Sequence, residues 1–327
     1  MKKRDIINLF ILVIIITLGF FTFKNRKYTF SETSFQMDTI VEIKIITKDR
    51  NAGILIDEAF ELIKQYENML SYFKEESYIW KFNHSKIETL PMDEDFLHIY
   101  QVSEELYERT NKKYDITIGA LSELWDFENK HIPSEDSIKK ALENVGFEKL
   151  NLEGIHLTKP DGVKINLGSL AKGFIIDKIV EFLVGEGVES GFVNAGGDMR
   201  IFGQKKPLRI GIQHPRKNRN ELIGVLNIKN NAVVSSGDYE RFFELDGKRY
   251  HHILDPQSGY PAEGTLSVTV VAPTALWADA YSTALFLMEP QKAIELINKT
   301  DTLKAVIFYL EGSEIKKIES EGIHIES

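Results

Sequence analysis

The segment ALWADAYSTALF, residues 275–286, constrains this chain most. Its apolar positions Ala275, Leu276, Ala278, Ala280, Ala284, Leu285 and Phe286 mark a helix destined for the interior. Asp279 sits near its middle, with Thr283 one turn later on the same face. A lone carboxylate in apolar surroundings is costly unless it is paired, hydrogen-bonded or bound to a metal. Two readings stand. Asp279 and Thr283 could offer two oxygens to Mg2+, which takes waters and phosphates for the rest of its shell. Alternatively, Asp279 bonds locally to backbone.

The remainder of the chain narrows the setting. It has 327 residues, with 40 basic against 49 acidic, for a net charge of −9. That balance argues against nucleic acid, which calls for a basic face. The sequence has no cysteine, which excludes disulfides, thiolate metal sites and cysteine catalysis. Residues 6–23, IINLFILVIIITLGFFTF, carry no charge and follow MKKRD. Their length is at the low end for a spanning helix, and bulky Phe20 and Phe21 make a poor cleavage site. Residues 1–27 are expected to be an uncleaved signal anchor, 28–34 a polar spacer, and 35–327 one compact domain.

Within that domain, periodicity predicts a strand over 37–46, a helix from Leu55 and another over about 95–110. VKINL (163–167) reads as a buried strand and 169–184 as a helix. GFVNAGGD (191–198) reads as a strand breaking into a glycine turn. Strands then dominate: LRIGI, IGVLNIK, AVVSS, RFFEL and LSVTVVA. After the 275–286 helix come a helix near 290–298 and a strand LKAVIFYL. Strands this clustered exclude a regular βαβ alternation, so the fold class is α+β.

Four stretches can carry chemistry. In INLGSLAKGFIID (165–177) a helix N-terminus offers free amides to an anion, and Lys172 in its first turn can reach a phosphate. An ordinary strand-turn-helix capped by Ser169 is the alternative. In VNAGGDMRIFG (193–203) paired glycines allow close backbone approach, with Asp198 and Arg200 flanking the turn, or simply make a turn. In 235–261, ELDGKRY predicts a hairpin turning at Asp246-Gly247. That hairpin could bring Tyr239 and Arg241 near His251 and His252. Adjacent strand residues face opposite ways, so only one histidine should enter a given site, as general base or in packing. The fourth stretch is the 275–286 helix itself.

In order and spacing, INLGSLAKGFIID, FVNAGGDMRIFG, SSGDYERFF, HHILDPQSGYP and ALWADAYSTAL resemble the ApbE family of flavin transferases. MDT at 37–39 resembles that family's opening MGT, and KYDITIGAL (113–121) its stretch before a tryptophan, here Trp125. The resemblance spans roughly residues 35–310. It implies an α+β, T-fold-related domain that binds FAD and Mg2+. The implied reaction moves FMN from FAD to a threonine or serine hydroxyl of an acceptor protein and releases AMP. It further implies FAD contacts at Met37, Phe73, Tyr114, Asp115, Asn166, Lys172 and Leu254, several through backbone. The implied metal ligands are the Ser169 carbonyl, Asp279 and Thr283; His252 is the implied base, and Tyr239 and Arg241 lie in the matching SGDYER.

Two residues depart from the family pattern. Asp38 replaces the glycine of MGT, and Asn166 replaces an aspartate. The expected acceptors are flavoprotein domains of membrane redox complexes, reached from the outer face of the cytoplasmic membrane. Rival readings are FAD hydrolysis to FMN and AMP at the same site, a non-catalytic flavin carrier at the membrane, and a purely structural anchored domain.

Overall fold

An eight-stranded sheet carries the molecule in this computed structural model, which describes residues 26–84, 86–218 and 220–326 and scattered helical positions between residues 4 and 17. Its strands are β1 (Tyr28–Gln36), β2 (Thr39–Thr47), β3 (Ser190–Ala195), β4 (Asp198–Phe202), β5 (Ala232–Gly237), β6 (Thr265–Ala272), β7 (Lys304–Glu311) and β8 (Glu314–Glu319). They lie side by side in chain order, and every pairing is antiparallel. The rest of the chain is inserted between neighbouring strands.

Alternation along the strands builds two cores. Val41, Ile43, Val234, Val268, Val270 and Ile307 point to a helical layer. That layer contains α1 (Ile54–Leu70), α2 (Glu94–Arg109), α3 (Ala171–Gly185), α4 (Ala275–Phe286) and α5 (Pro290–Asn298). Val233, Val271, Val306 and Phe308 point the other way, under a hairpin formed by Leu208–Gln213 and Leu222–Ile228. β6 is therefore buried along its whole length. The apolar helix α4 lies against α3, β5 and β6 with ten residues buried, as its composition requires. A third cluster gathers around Trp125, which stacks near Phe127 and Tyr250 and donates to the Gly259 carbonyl at 3.0 Å.

Three expectations change. Residues 28–34 are not a spacer: they form most of β1, because Phe30 packs on the core and all nine residues of the strand pair with β2. VKINL is not a strand but an extended run with a single bridge, Ile118 to Lys164. The Asn83 amide replaces a neighbouring strand there, donating to the Ile165 carbonyl and accepting its N–H, both at 2.7 Å. Ser169 is not a cap, since α3 starts at Ala171 without a side-chain cap. The expected anchor falls largely outside the described residues, and among the described residues no helix is long and apolar enough to cross a membrane.

Candidate active site

The site forms where α3 starts against α4, and a glycine decides how closely. A Cβ on Gly173 would lie 2.3 Å from the Ala275 carbonyl oxygen and 2.7 Å from the Asp279 Cβ. Only glycine admits that approach. In consequence the Gly173 N–H, whose ordinary helical acceptor is the Ser169 carbonyl, donates instead to Asp279 Oδ2 at 2.9 Å. Among the described residues no donor bonds the Ser169 carbonyl or Asp279 Oδ1.

Asp279 is 6% exposed. Burial, and then the charge of Asp198, push its pKa up to about 7, against the pull of Lys172 and the Gly173 amide. Lys172 compensates this carboxylate only in part. Thr283, one turn further, shares Ser236 Oγ at 3.3 Å, and Tyr114 Oη meets Ser169 Oγ at 2.8 Å. Burial drives the Tyr114 pKa far up, and the Asp279 charge adds to this. The phenol therefore stays protonated.

The glycine turn supplies the next group. Gly196 and Gly197 take φ of 66° and 110°, and Asp198 opens β4 beyond them. Lys172 Nζ bonds Asp198 Oδ2 at 2.6 Å. Asp198, and further off Asp279, hold the ammonium above the usual lysine range. Lys172, Asp198, Asp279, Ser169, Thr283 and Tyr114 thus share one electrostatic neighbourhood.

The 235–261 stretch closes it from another side. Its hairpin turns at Asp246 and Gly247, with φ of 50° and 77°, as the sequence predicts. The two histidines divide as expected. His251 is buried, with Nε2 2.8 Å from the Ala262 carbonyl and its ring edge-on to Phe286. His252 bonds through its N–H to the Arg241 carbonyl at 3.0 Å and keeps an exposed surface. The atoms crowding its other sides, with His251, Arg241 and Lys172, lower its pKa. The exposed surface of the residue tempers that desolvation. The imidazole is neutral at pH 7, the state a proton acceptor needs.

Tyr239 Oη lies 3.3 Å from Ser267 Oγ, and burial raises its pKa to about 12. Arg241 reaches across to Asp38 at 3.4 Å. Met37 and Asp38 both adopt positive φ, 52° and 56°, in the tight β1–β2 turn. Asp38 thus occupies a backbone conformation that suits the glycine it replaces.

Other expected contacts have side chains committed elsewhere. Asp115 takes Thr117 N–H and Oγ1 on Oδ1 and the Phe147 N–H on Oδ2, so its carboxylate clamps a loop. Asn166 accepts from the Gly168 N–H and donates to Ser122 Oγ. Leu254 packs in the Trp125 cluster, and Phe73 is exposed against Tyr72. The Phe73 ring remains free to meet a ligand, whereas the Asn166 N–H is itself given to the Ile116 carbonyl at 2.7 Å.

Two buried acids escaped the sequence reading. Asp177, midway along α3, accepts the Ala275 and Leu276 amides at 2.8 Å and Arg200 at 2.6 Å. It locks α3, α4 and β4 in register. Asp238 is gripped by both terminal nitrogens of Arg216 at 2.7 and 2.5 Å, which fixes the SGDYER strand end. Asp177 lies inside an apolar helical run, the same signal that marks Asp279. Arg216 sits in a polar loop with no such signal.

Comparison with known proteins gives the chain its family and fold relatives. The model of the ApbE family matches residues 37–307. The FAD:protein FMN transferase of Klebsiella pneumoniae (strain 342) is 31% identical over 290 residues, covering 86% of this chain and 89% of that protein. The crystal structure of the ApbE protein from Thermotoga maritima superposes with a TM-score of 0.82 at 33% identity, covering 90% and 97%. That of the flavinyl transferase ApbE from Pseudomonas stutzeri, apo form, gives 0.78 at 27%, covering 90% and 95%.

Proposed function

Because this chain belongs to the ApbE family, we propose that it transfers FMN from FAD onto a threonine or serine hydroxyl of an acceptor protein, with release of AMP. The observation that carries this reading is the convergence of Lys172, Asp198 and Asp279 at the start of α3, with neutral His252 within electrostatic reach of Lys172.

The diphosphate of FAD lies at the α3 start, within reach of Lys172 and the positive end of the helix. Met37 and the Phe73 ring offer apolar surface to the flavin side; Tyr114, Asp115, Asn166 and Leu254 contribute mainly backbone. The acceptor hydroxyl oxygen forms a bond to the FMN-side phosphorus, and the bond to the AMP phosphate breaks. An imidazole nitrogen of His252 takes the hydroxyl proton, a role worth about 10²- to 10⁴-fold. Tyr239 and Arg241 hold the wall beside His252, and Arg241 adds positive charge near the phosphates.

The residues fit Mg2+. Ser169 offers an unclaimed carbonyl, Asp279 an unclaimed Oδ1 and Thr283 a hydroxyl one turn on. No group of three or more acidic or histidine ligands exists among the described residues. A metal held here therefore needs phosphate oxygens, the habit of Mg2+. Bound, it supplies Lewis-acid charge neutralisation as AMP leaves.

We further place the catalytic domain at the outer face of the cytoplasmic membrane, held by residues 1–27, where flavoprotein domains of membrane redox complexes are the acceptors. Helical positions Phe10, Ile11, Leu12, Val13, Ile14 and Ile16 present exposed apolar side chains, which favours this placement. The test is incubation with FAD, Mg2+ and such an acceptor domain, followed by intact-mass spectrometry. Addition of FMN with equimolar AMP is expected. FMN released free, with the acceptor mass unchanged, means hydrolysis and overturns the transfer.

A further inference from the structure

Helices α3 and α4 each lend a carboxylate to the other. Asp279 of α4 takes the Gly173 N–H of α3 at 2.9 Å. Asp177 of α3 takes the Ala275 and Leu276 amides of α4, each at 2.8 Å. Gly173 lies four residues before Asp177, and Ala275 four before Asp279. One face of each helix therefore carries both halves of a reciprocal clamp. Glycine at 173 lets the two backbones approach closely enough for both halves to close, since a Cβ there would meet the Ala275 carbonyl.

The two acids differ in what they have left over. Asp177 is 6% exposed and meets only donors: the first two amides of α4, which have no acceptor within their own helix, and Arg200 at 2.6 Å. Arg200 stands two residues beyond Asp198 on the same face of β4. That strand thus grips α3 twice, through Lys172–Asp198 and through Asp177–Arg200. Asp279, one turn after Ala275, keeps its Oδ1 unclaimed among the described residues.

We propose that Asp177 is a positioning residue for the metal and diphosphate site: by pinning the first turn of α4, it fixes where Asp279 Oδ1 and Thr283 stand relative to the Ser169 carbonyl. The inference rests on the Mg2+ reading given above and deepens it. Both oxygens of Asp177 are engaged by protein donors, so it acts through Asp279 rather than on a ligand.

The test uses Asp177→Asn and Asp177→Glu. Asparagine turns an NH2 group onto one of the three donors. Glutamate keeps the charge, but its longer arm cannot hold both amides at the present helix separation. ADP is titrated calorimetrically into the full chain, in EDTA and at a series of Mg2+ concentrations. On the parent, Mg2+ is expected to tighten ADP at least tenfold. In both variants, binding in EDTA stays within twofold of the parent. The Mg2+ concentration that gives half of the tightening rises about 10- to 100-fold, as when a group behind a metal ligand is lost. Phe308→Leu, in the core on the other face of the sheet, controls for lost stability and leaves that concentration unchanged. An unchanged half-point in either Asp177 variant overturns the proposal; in Asp177→Glu alone, it assigns the effect to charge instead of placement. An equal shift in Phe308→Leu overturns it as well. Should one Asp177 variant not fold, the other decides, and failure of both to fold overturns the proposal in favour of a role in the fold alone. If Mg2+ does not tighten ADP on the parent, the metal reading has failed and the proposal falls with it. Binding is read without turnover, so failure of the transferase reading shows separately, as absent FMN transfer by the parent.

Discussion

Replacing Asp279 by asparagine tests the electrostatics on which the site depends. The carboxylate pKa rises from 3.8 to about 7, first through burial and then through Asp198. An acid protonated more readily in the folded than in the unfolded chain weakens the fold as pH climbs between those values. The metal-free protein therefore loses this stability between about pH 4 and 7, and the loss is complete above that window. At about 1.4 kcal/mol per pH unit, the span from 3.8 to about 7 is worth on the order of 4 kcal/mol. Asparagine keeps an oxygen for the Gly173 N–H and removes the charge. At pH 8 without metal, Asp279→Asn should be more stable than the parent by up to that amount, and the gap should close by pH 4. With ADP present to supply phosphate oxygens, Mg2+ at a hundred times its Kd should stabilise the parent by about 2.7 kcal/mol and the variant not at all. FMN transfer by the variant should fall below detection. Urea unfolding followed by tryptophan fluorescence at pH 4, 6 and 8, with and without Mg2+, reads all three stability terms. Comparing the two proteins cancels other titrating groups. A gap that does not widen with pH, or equal Mg2+ stabilisation of both, refutes the reasoning.

Gly173→Ala should destabilise by about 1–3 kcal/mol through overpacking, because its Cβ meets the Ala275 carbonyl; chemical unfolding checks this, and an unchanged midpoint would contradict it. His252→Ala should lower kcat about 10²- to 10⁴-fold with FAD affinity retained. With the His252 pKa lowered from 6.5, the parent's kcat/KM should lose activity through this group only below pH 6.5; a loss centred at or above pH 6.5 that vanishes in His252→Ala would refute that direction. Asp38→Gly should be neutral or stabilising by up to about 1 kcal/mol, since relief of the positive φ offsets an exposed ion pair worth about 0–1 kcal/mol. Asp38→Val should destabilise by about 1–2 kcal/mol in the same melts.

Much of this molecule was legible from residue order. The α4 helix, the Asp246-Gly247 hairpin, the glycine turn before Asp198 and the split roles of His251 and His252 follow from local rules of periodicity, turn chemistry and strand alternation. What escaped depends on distant partners. VKINL carries a strand's composition, yet Asn83, 82 residues away, supplies the bonds a strand would have made. Residues 28–34 are polar and read as a spacer, because the outer face of an edge strand needs no apolar side chains. Asp115 and Asn166 sit in the matched motifs, but the partners of their side chains, Phe147 and Ser122, give no sign in the sequence.

The chain-order sheet has a consequence for how the protein assembles. Each neighbouring pair from β3 to β8 closes a comparatively modest loop, whereas joining β2 to β3 must close over residues 48–189. Long closures cost more entropy and raise contact order, which slows folding. That excursion brings Tyr114, Ser169, Lys172 and Gly173, while Asp198, His252 and Asp279 belong to the later, more local half. The two halves of the catalytic cradle are thus joined through the longest closure in the sheet, so a slow β2–β3 pairing is expected to delay the whole site rather than one part of it.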